Sequence, residues 1–203
     1  MGSETGKAFG RARAAGTITG WEETRLGTMP STAHDYEDRV VELHGWGSAF
    51  MIAGTKGLKV WWNAKEGPEH DATRKGNLRF SAEGNHLAHV ANKGEKILVV
   101  VDGQEGPLWD EVINPSPIFS PDGNHFAYAA RNGRRWVVVV DGKEGPSHQN
   151  IGVGTLTFSP DGKRVAYVAR RGNNSVVVVD GQDGPSETVS SDLGLFSAPT
   201  ESA

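Results

Sequence analysis

A Gly-Pro pair returns along this chain at Gly67-Pro68, Gly106-Pro107, Gly145-Pro146 and Gly184-Pro185, each 39 residues after the last. Phe80, Phe119 and Phe158 keep the same spacing, with Val41 at the matching place in the first copy. So do Ala49, Ala88, Ala127 and Ala166, each followed by a ring: Phe50, His89, Tyr128 or Tyr167. Three kinds of landmark holding one period without slippage mean four copies of one structural unit.

Each unit reads as short strands between tight turns. In the third copy Ile118-Phe119-Ser120 closes a first strand, and Ser120-Pro121-Asp122-Gly123 turns the chain. Proline presets φ there and glycine accepts a positive φ. His125 to Ala130 is a second strand and Asn132-Gly133 a hairpin signal. Trp136 to Val140 is a third, β-branched strand without an alternating face, so it is covered on both sides. Asp141 to Pro146 turns again, and a weaker fourth strand falls near residues 147–152. Four short antiparallel strands in about 40 residues is the arithmetic of a propeller blade.

The segments FSPDGNHFAYAARNGRRWVVVVDGKEGP and FSPDGKRVAYVARRGNNSVVVVDGQDGP resemble TolB-type, WD40-like β-propeller repeats. The second copy departs at FSAEG and His89, and the first lacks the SPDG turn. The resemblance spans roughly residues 37–192 and implies a fold more than a function. The expected fold is an all-β propeller of four four-stranded blades, with repeats at 37–75, 76–114, 115–153 and 154–192. Residues 1–16 read as a mobile tail, 17–197 as one propeller domain and 198–203 as a C-terminal tail. A fifth blade closed by the N-terminal half-unit and Leu193 to Ser197 is the expected way to complete a ring; an open β-solenoid is the architectural alternative.

The 203 residues hold no cysteine, which excludes disulfide scaffolds, thiolate metal sites and cysteine nucleophiles. A formal net charge of −4 argues against whole-chain affinity for nucleic acid. No apolar run has the length of a membrane span, so no membrane is expected. The chain reads as cytoplasmic, or as a periplasmic or secreted form whose signal peptide has been removed.

The repeat makes charge geometrical. Turns between second and third strands carry Lys56, Lys59, Lys93, Lys96, Arg131, Arg134, Arg135, Arg170 and Arg171. Turns between third and fourth strands are mostly acidic, with Lys65 beside Glu66, then Asp102, Glu105, Asp141, Glu144, Asp180 and Asp183, and the SPDG turns add Asp122 and Asp161. In a propeller these sets face opposite ways, which predicts a molecule polar along its ring axis. The basic residues form the candidate ligand-binding face, against the plainer reading of solvated hairpins.

Asp102 and Asp180 read as turn caps that bond amides two residues on, rather than as calcium ligands. The seven histidines show no zinc-ligand spacing, and no nucleophile elbow is present. No catalytic residue, metal or cofactor is expected. The leading function is a non-catalytic interaction module for a protein partner or an anionic ligand, with nucleic acid a poorer fit. A partial propeller that self-associates is the alternative. A hydrolase with an axial carboxylate pair ranks last, with only Glu37, Asp38 and Glu42 to offer.

Overall fold

A computed structural model describes residues 7–11, 23–28, 42–44, 47–62, 65–73, 78–113, 117–172 and 174–184. Two N-terminal strands, β1 (Lys7–Arg11) and β2 (Glu23–Thr28), pair antiparallel. Part of the expected N-terminal tail is therefore a strand. The strand expected at Leu193 to Ser197 lies outside the described residues, as do Glu37 and Asp38.

Four antiparallel sheets follow in chain order, the first of four strands and the other three of five. Blade 1 is β3 (Glu42–His44), β4 (Gly47–Ala53), β5 (Leu58–Trp62) and β6 (Lys65–His70), paired in sequence. In blade 2 the inner strand has two pieces, β7 (Ala72–Thr73) and β8 (Arg79–Phe80), both on β9 (Leu87–Lys93), followed by β10 (Lys96–Val101) and β11 (Gln104–Glu105). Blade 3 repeats this with β12 (Glu111–Val112), β13 (Ile118–Phe119), β14 (Phe126–Asn132), β15 (Arg135–Val140) and β16 (Lys143–Glu144). Blade 4 does so with β17 (Asn150–Ile151), β18 (Thr157–Phe158), β19 (Val165–Arg171), β20 (Asn174–Val179) and β21 (Gln182–Asp183). No helix among the described residues is long and apolar enough to cross a membrane.

Register refines the turns. Val140 pairs with Lys143, so Asp141-Gly142 alone closes that hairpin. Both residues have positive φ, 49° and 78°, and Asp102-Gly103 and Asp180-Gly181 repeat them. This is the type I′ turn that suits the strands' right-handed twist. Asn132 pairs with Arg135, which makes Gly133-Arg134, not Asn132-Gly133, the other hairpin loop. The fourth strand begins at Lys143 and reaches His148 through a bridge to Trp136, whereas Asn150–Ile151 already belongs to the next blade. The crossover is abrupt. Trp109 exchanges backbone bonds with Ile97 of blade 2, and the Asp110 amide donates to Arg131 of blade 3.

The aspartates do not cap amides two residues on. Asp102 Oδ1 accepts from the Leu87 amide at 2.9 Å, Asp141 Oδ1 from Phe126 at 3.0 Å and Asp180 Oδ1 from Val165 at 2.9 Å. Each one ties the far end of the third strand to the start of the second. Its other oxygen holds His86, His125 or Arg164. Ser81, Ser120 and Ser159 tie the preceding turn to the same place, accepting the amide of the following His86, His125 or Arg164.

The core lies between blades. One cluster joins Val90, Ile97 and Val99 to Tyr128, Val137 and Val139; the next joins Ala129, Trp136 and Val138 to Tyr167, Val176 and Val178. The unbroken valine runs are thereby covered on both faces in blades 2 and 3, each buried valine contributing about 1.5–3 kcal/mol. The turns nest as well. A Cβ on Gly162, at φ +74°, would stand 2.9 Å from Asp122 Oδ1 of the preceding blade.

Candidate anion-binding cleft

Each blade interface carries one ring pair at fixed repeat positions. His70 meets His89, Trp109 meets Tyr128 and His148 meets Tyr167, all edge-on, with centroids 6.0, 6.4 and 5.5 Å apart. The first residue of each pair comes from an outer strand and the second from the second strand of the next blade. Burial pushes the Tyr167 hydroxyl up to about 12 and lowers His148. His89 is driven furthest, down to about 3, by burial and then by His70 beside it. Its two ring nitrogens have no hydrogen-bond partner among the described residues. His70 Nε2 lies 3.3 Å from Glu105 Oε1 without hydrogen-bond alignment, so we read it as a buried neutral ring.

Around these interfaces most of the basic turn residues are neutralised. Lys59 pairs with Glu66, and Lys93 Nζ donates to Glu105 Oε2 at 2.6 Å. Lys96 pairs with Asp110, whose second oxygen accepts from the Gly133 amide at 2.6 Å. Both contacts hold the Asp110 carboxyl below the usual range, the Lys96 bond most strongly. Arg131 reaches Glu111 at 3.1 Å and stacks 5.7 Å from the Trp136 ring centroid. Arg171 pairs with Asp183. Acids of the other set answer Lys59, Lys93 and Arg171, and Asp110 and Glu111 of the crossover answer Lys96 and Arg131, so part of the basic turn charge is paired within the molecule.

The crossover between blades 3 and 4 breaks this pattern. Asp71 and Asp110 occupy one repeat position, and Gln149 is their successor. Glu111 is succeeded by Asn150, and Trp136 by Ser175. The cations of these pairs are retained: Lys96 becomes Arg135, and Arg131 remains an arginine at Arg170. Two arginines therefore persist where both carboxylates have become amides. Arg135 donates to the Ser147 hydroxyl at 3.0 Å instead of to an acid. Arg134 and Arg170 are exposed and have no carboxylate partner among the described residues.

These residues meet in one place. A cleft of about 750 Å³ between blades 3 and 4 is lined by Arg134, Arg135, Ser147, His148, Gln149, Arg170, Arg171, Gln182 and Asp183. Of the basic residues singled out from sequence, Arg134, Arg135, Arg170 and Arg171 come together here. Lys56, Lys59, Lys93, Lys96 and Arg131 do not line it. Gln149, Ser147 and His148 escaped the sequence reading, although the Asp-Asp-Gln series at 39-residue spacing marks the first of them. Beyond Pro146 and Gly181, which border both, a second cleft of about 400 Å³ has Val138, Phe158 and Tyr167 in its lining.

No protein-family model matches the chain, and no curated protein matches it. Among solved structures it is similar to TolB from Acinetobacter baumannii, at 13% identity and a TM-score of 0.38 over 80% of this chain and 44% of that one. It is similar to the Cps50 (Swd1) β-propeller domain of Myceliophteria thermophila, at 14% identity and 0.30 over 82% and 60%. A candidate 6-phosphogluconolactonase from Bacteroides uniformis follows, at 13% and 0.34 over 70% and 49%. The fold is propeller-like: four consecutive antiparallel sheets, one per repeat. That statement rests on the blades themselves, and it concerns fold alone. The chain spans between 44% and 60% of the lengths of these three structures.

Proposed function

We propose that this chain is a non-catalytic propeller-type binding module that holds an anionic partner in the cleft between blades 3 and 4. The observation that carries the reading is the replacement of Asp110 and Glu111 by Gln149 and Asn150 while the arginines remain. Guanidinium groups pair well with carboxylates and phosphates through paired N–H donors. Among the described residues, Arg131 and Arg164 meet that capacity internally, through Glu111 and Asp180; here it is left for a ligand. The test is titration with polyglutamate, heparin and an oligonucleotide at low and moderate salt. Binding of at least one, weakened by salt and lost in the Arg134→Ala/Arg135→Ala/Arg170→Ala variant, supports the reading. Equal affinity in the variant contradicts it.

A second reading, assembly with another copy of the chain, is favoured by blade 4. Val177 is 44% exposed, whereas Val99 and Val138 at the same repeat position are 2% exposed under the next blade. A blade from a second copy would cover it as blades 3 and 4 cover those valines. Light scattering across protein concentrations tests this. A mass that rises with concentration in the wild type and not in Val177→Lys supports it, and a constant wild-type monomer mass contradicts it.

A further inference from the structure

We infer that the partner of the arginine cleft is an acidic peptide segment in extended form; the inference rests on the anion-binding reading above. Three observations choose the peptide among anions. First, the cations of the cleft come from two different blades. Arg134 and Arg135 come from the turn of blade 3 and Arg170 from the end of β19, on opposite banks of a cleft of about 750 Å³. A single phosphate is best held by donors aimed at one point, commonly backbone amides of a nest. Separated guanidinium groups suit acidic groups spaced along a chain.

Second, the cleft keeps a carboxylate. Asp183 lines it, tied to Arg171. A ligand with a charge at every step, such as a nucleic acid backbone, meets repulsion there, while a peptide can present a neutral residue to it. Nor does the lining offer an exposed aromatic face on which a base could stack: its one ring, His148, is partly buried and bonded to the Tyr167 hydroxyl.

Third, neutral hydrogen-bonding groups stand between the cations. Gln149 and Gln182 are exposed amides with both donors and acceptors, and Ser147 lies on the outer edge of blade 3. The backbone bonds of that edge run inward, from Gly145 to Val138 and between His148 and Trp136. Main-chain recognition from an outer strand, with side chains setting preference, is an established mode of peptide binding.

The test uses the whole chain and fluorescence anisotropy with a labelled decapeptide alternating Glu and Ser, a deoxythymidine decamer and pyrophosphate. The variant is Gln149→Asp, which puts back the residue that blades 2 and 3 carry and so leaves the blade able to fold. It supplies Arg135 with the acid that Lys96 has in Asp110. The peptide is expected to bind, with affinity falling about ten-fold in Gln149→Asp, as one charge-assisted contact is satisfied internally. Arg134→Ala/Arg170→Ala should weaken it further. Binding of the decamer or of pyrophosphate with the same sensitivity, and no binding of the peptide, keeps the anion site and overturns the peptide. Binding of none of the three overturns both. Peptide binding that Gln149→Asp leaves unchanged places the peptide elsewhere and overturns the inference.

Discussion

Nε2 of His148 lies 3.0 Å from the hydroxyl of Tyr167, across the boundary between blades 3 and 4. The same two repeat positions hold Trp109 against Tyr128, and His70 against His89. One contact, stamped three times with different rings, locks each outer strand to the next blade. It also sets the floor beside which the arginine cleft opens. Stability and site are thus built on the same crossover.

The Trp109–Tyr128 pair is the most buried of the three by volume, with both rings nearly inaccessible. Trp109→Ala is expected to cost about 3–5 kcal/mol, the range for removing a large buried aromatic. Urea unfolding followed by circular dichroism measures it. A loss under 1 kcal/mol would mean that the blades do not pack through this ring.

His89 couples folding to pH. Its folded pKa, about 3, lies below the ordinary 6.5. Between those values the unfolded chain binds more protons, so stability falls as pH drops from about 6.5 towards 3. His70, also lowered, adds in the same direction, with Glu105 and Lys93 as the charges nearest it. His89→Tyr installs the ring that blades 3 and 4 use. Its unfolding free energy should decline less on acidification than that of the wild type, by up to about 1.4 kcal/mol per pH unit. Parallel curves would refute the buried neutral histidine.

Two glycines with the same backbone separate strain from contact. Gly142 has φ +78° and nothing within 4 Å of an added Cβ, whereas Gly162 has φ +74° and meets Asp122. Gly142→Ala should cost about 1–2 kcal/mol for the left-handed conformation alone. Gly162→Ala should cost clearly more. Thermal unfolding of both variants checks the order, and equal losses would deny the nesting of the turns.

Ser120 is buried, accepts the His125 amide at 3.0 Å and donates to Asp122. The hydroxyl is the first cause of the low Asp122 pKa, about 2. Ser120→Ala is expected to destabilise the chain by about 1 kcal/mol, because the partly buried His125 amide loses its acceptor. It should also move the Asp122 carboxyl resonance to titrate at higher pH. An unchanged titration would assign the shift to Asn124 instead.

Much of this was legible from the 39-residue period. The period implied blades, and the two-sided valine runs implied a core between them, as Val138 and Val139 illustrate. Register was harder. Asn132-Gly133 is a strong hairpin signal, yet pairing puts Asn132 in the ladder, because the twist of the strands selects the turn by φ and not by composition. The Asp102 contact with Leu87 spans 15 residues, beyond any local turn rule. The basic face was readable as charge but not as free charge. Lys96 and Arg135 look alike in sequence, and only the residue that arrives beside each across the crossover, Asp110 or Gln149, decides which one is neutralised.

The central claim is that Arg134, Arg135 and Arg170, which line the cleft between blades 3 and 4 and have no carboxylate partner among the described residues, are the cations that take an anionic ligand. Arginine side-chain Nε–Hε resonances, followed by NMR during titration with the decapeptide alternating Glu and Ser, test it directly. The account predicts that Arg134, Arg135 and Arg170 shift saturably while Arg131, held by Glu111 and Trp136, stays in place. Uniform small shifts across all arginines, or a response led by Arg131, would contradict it.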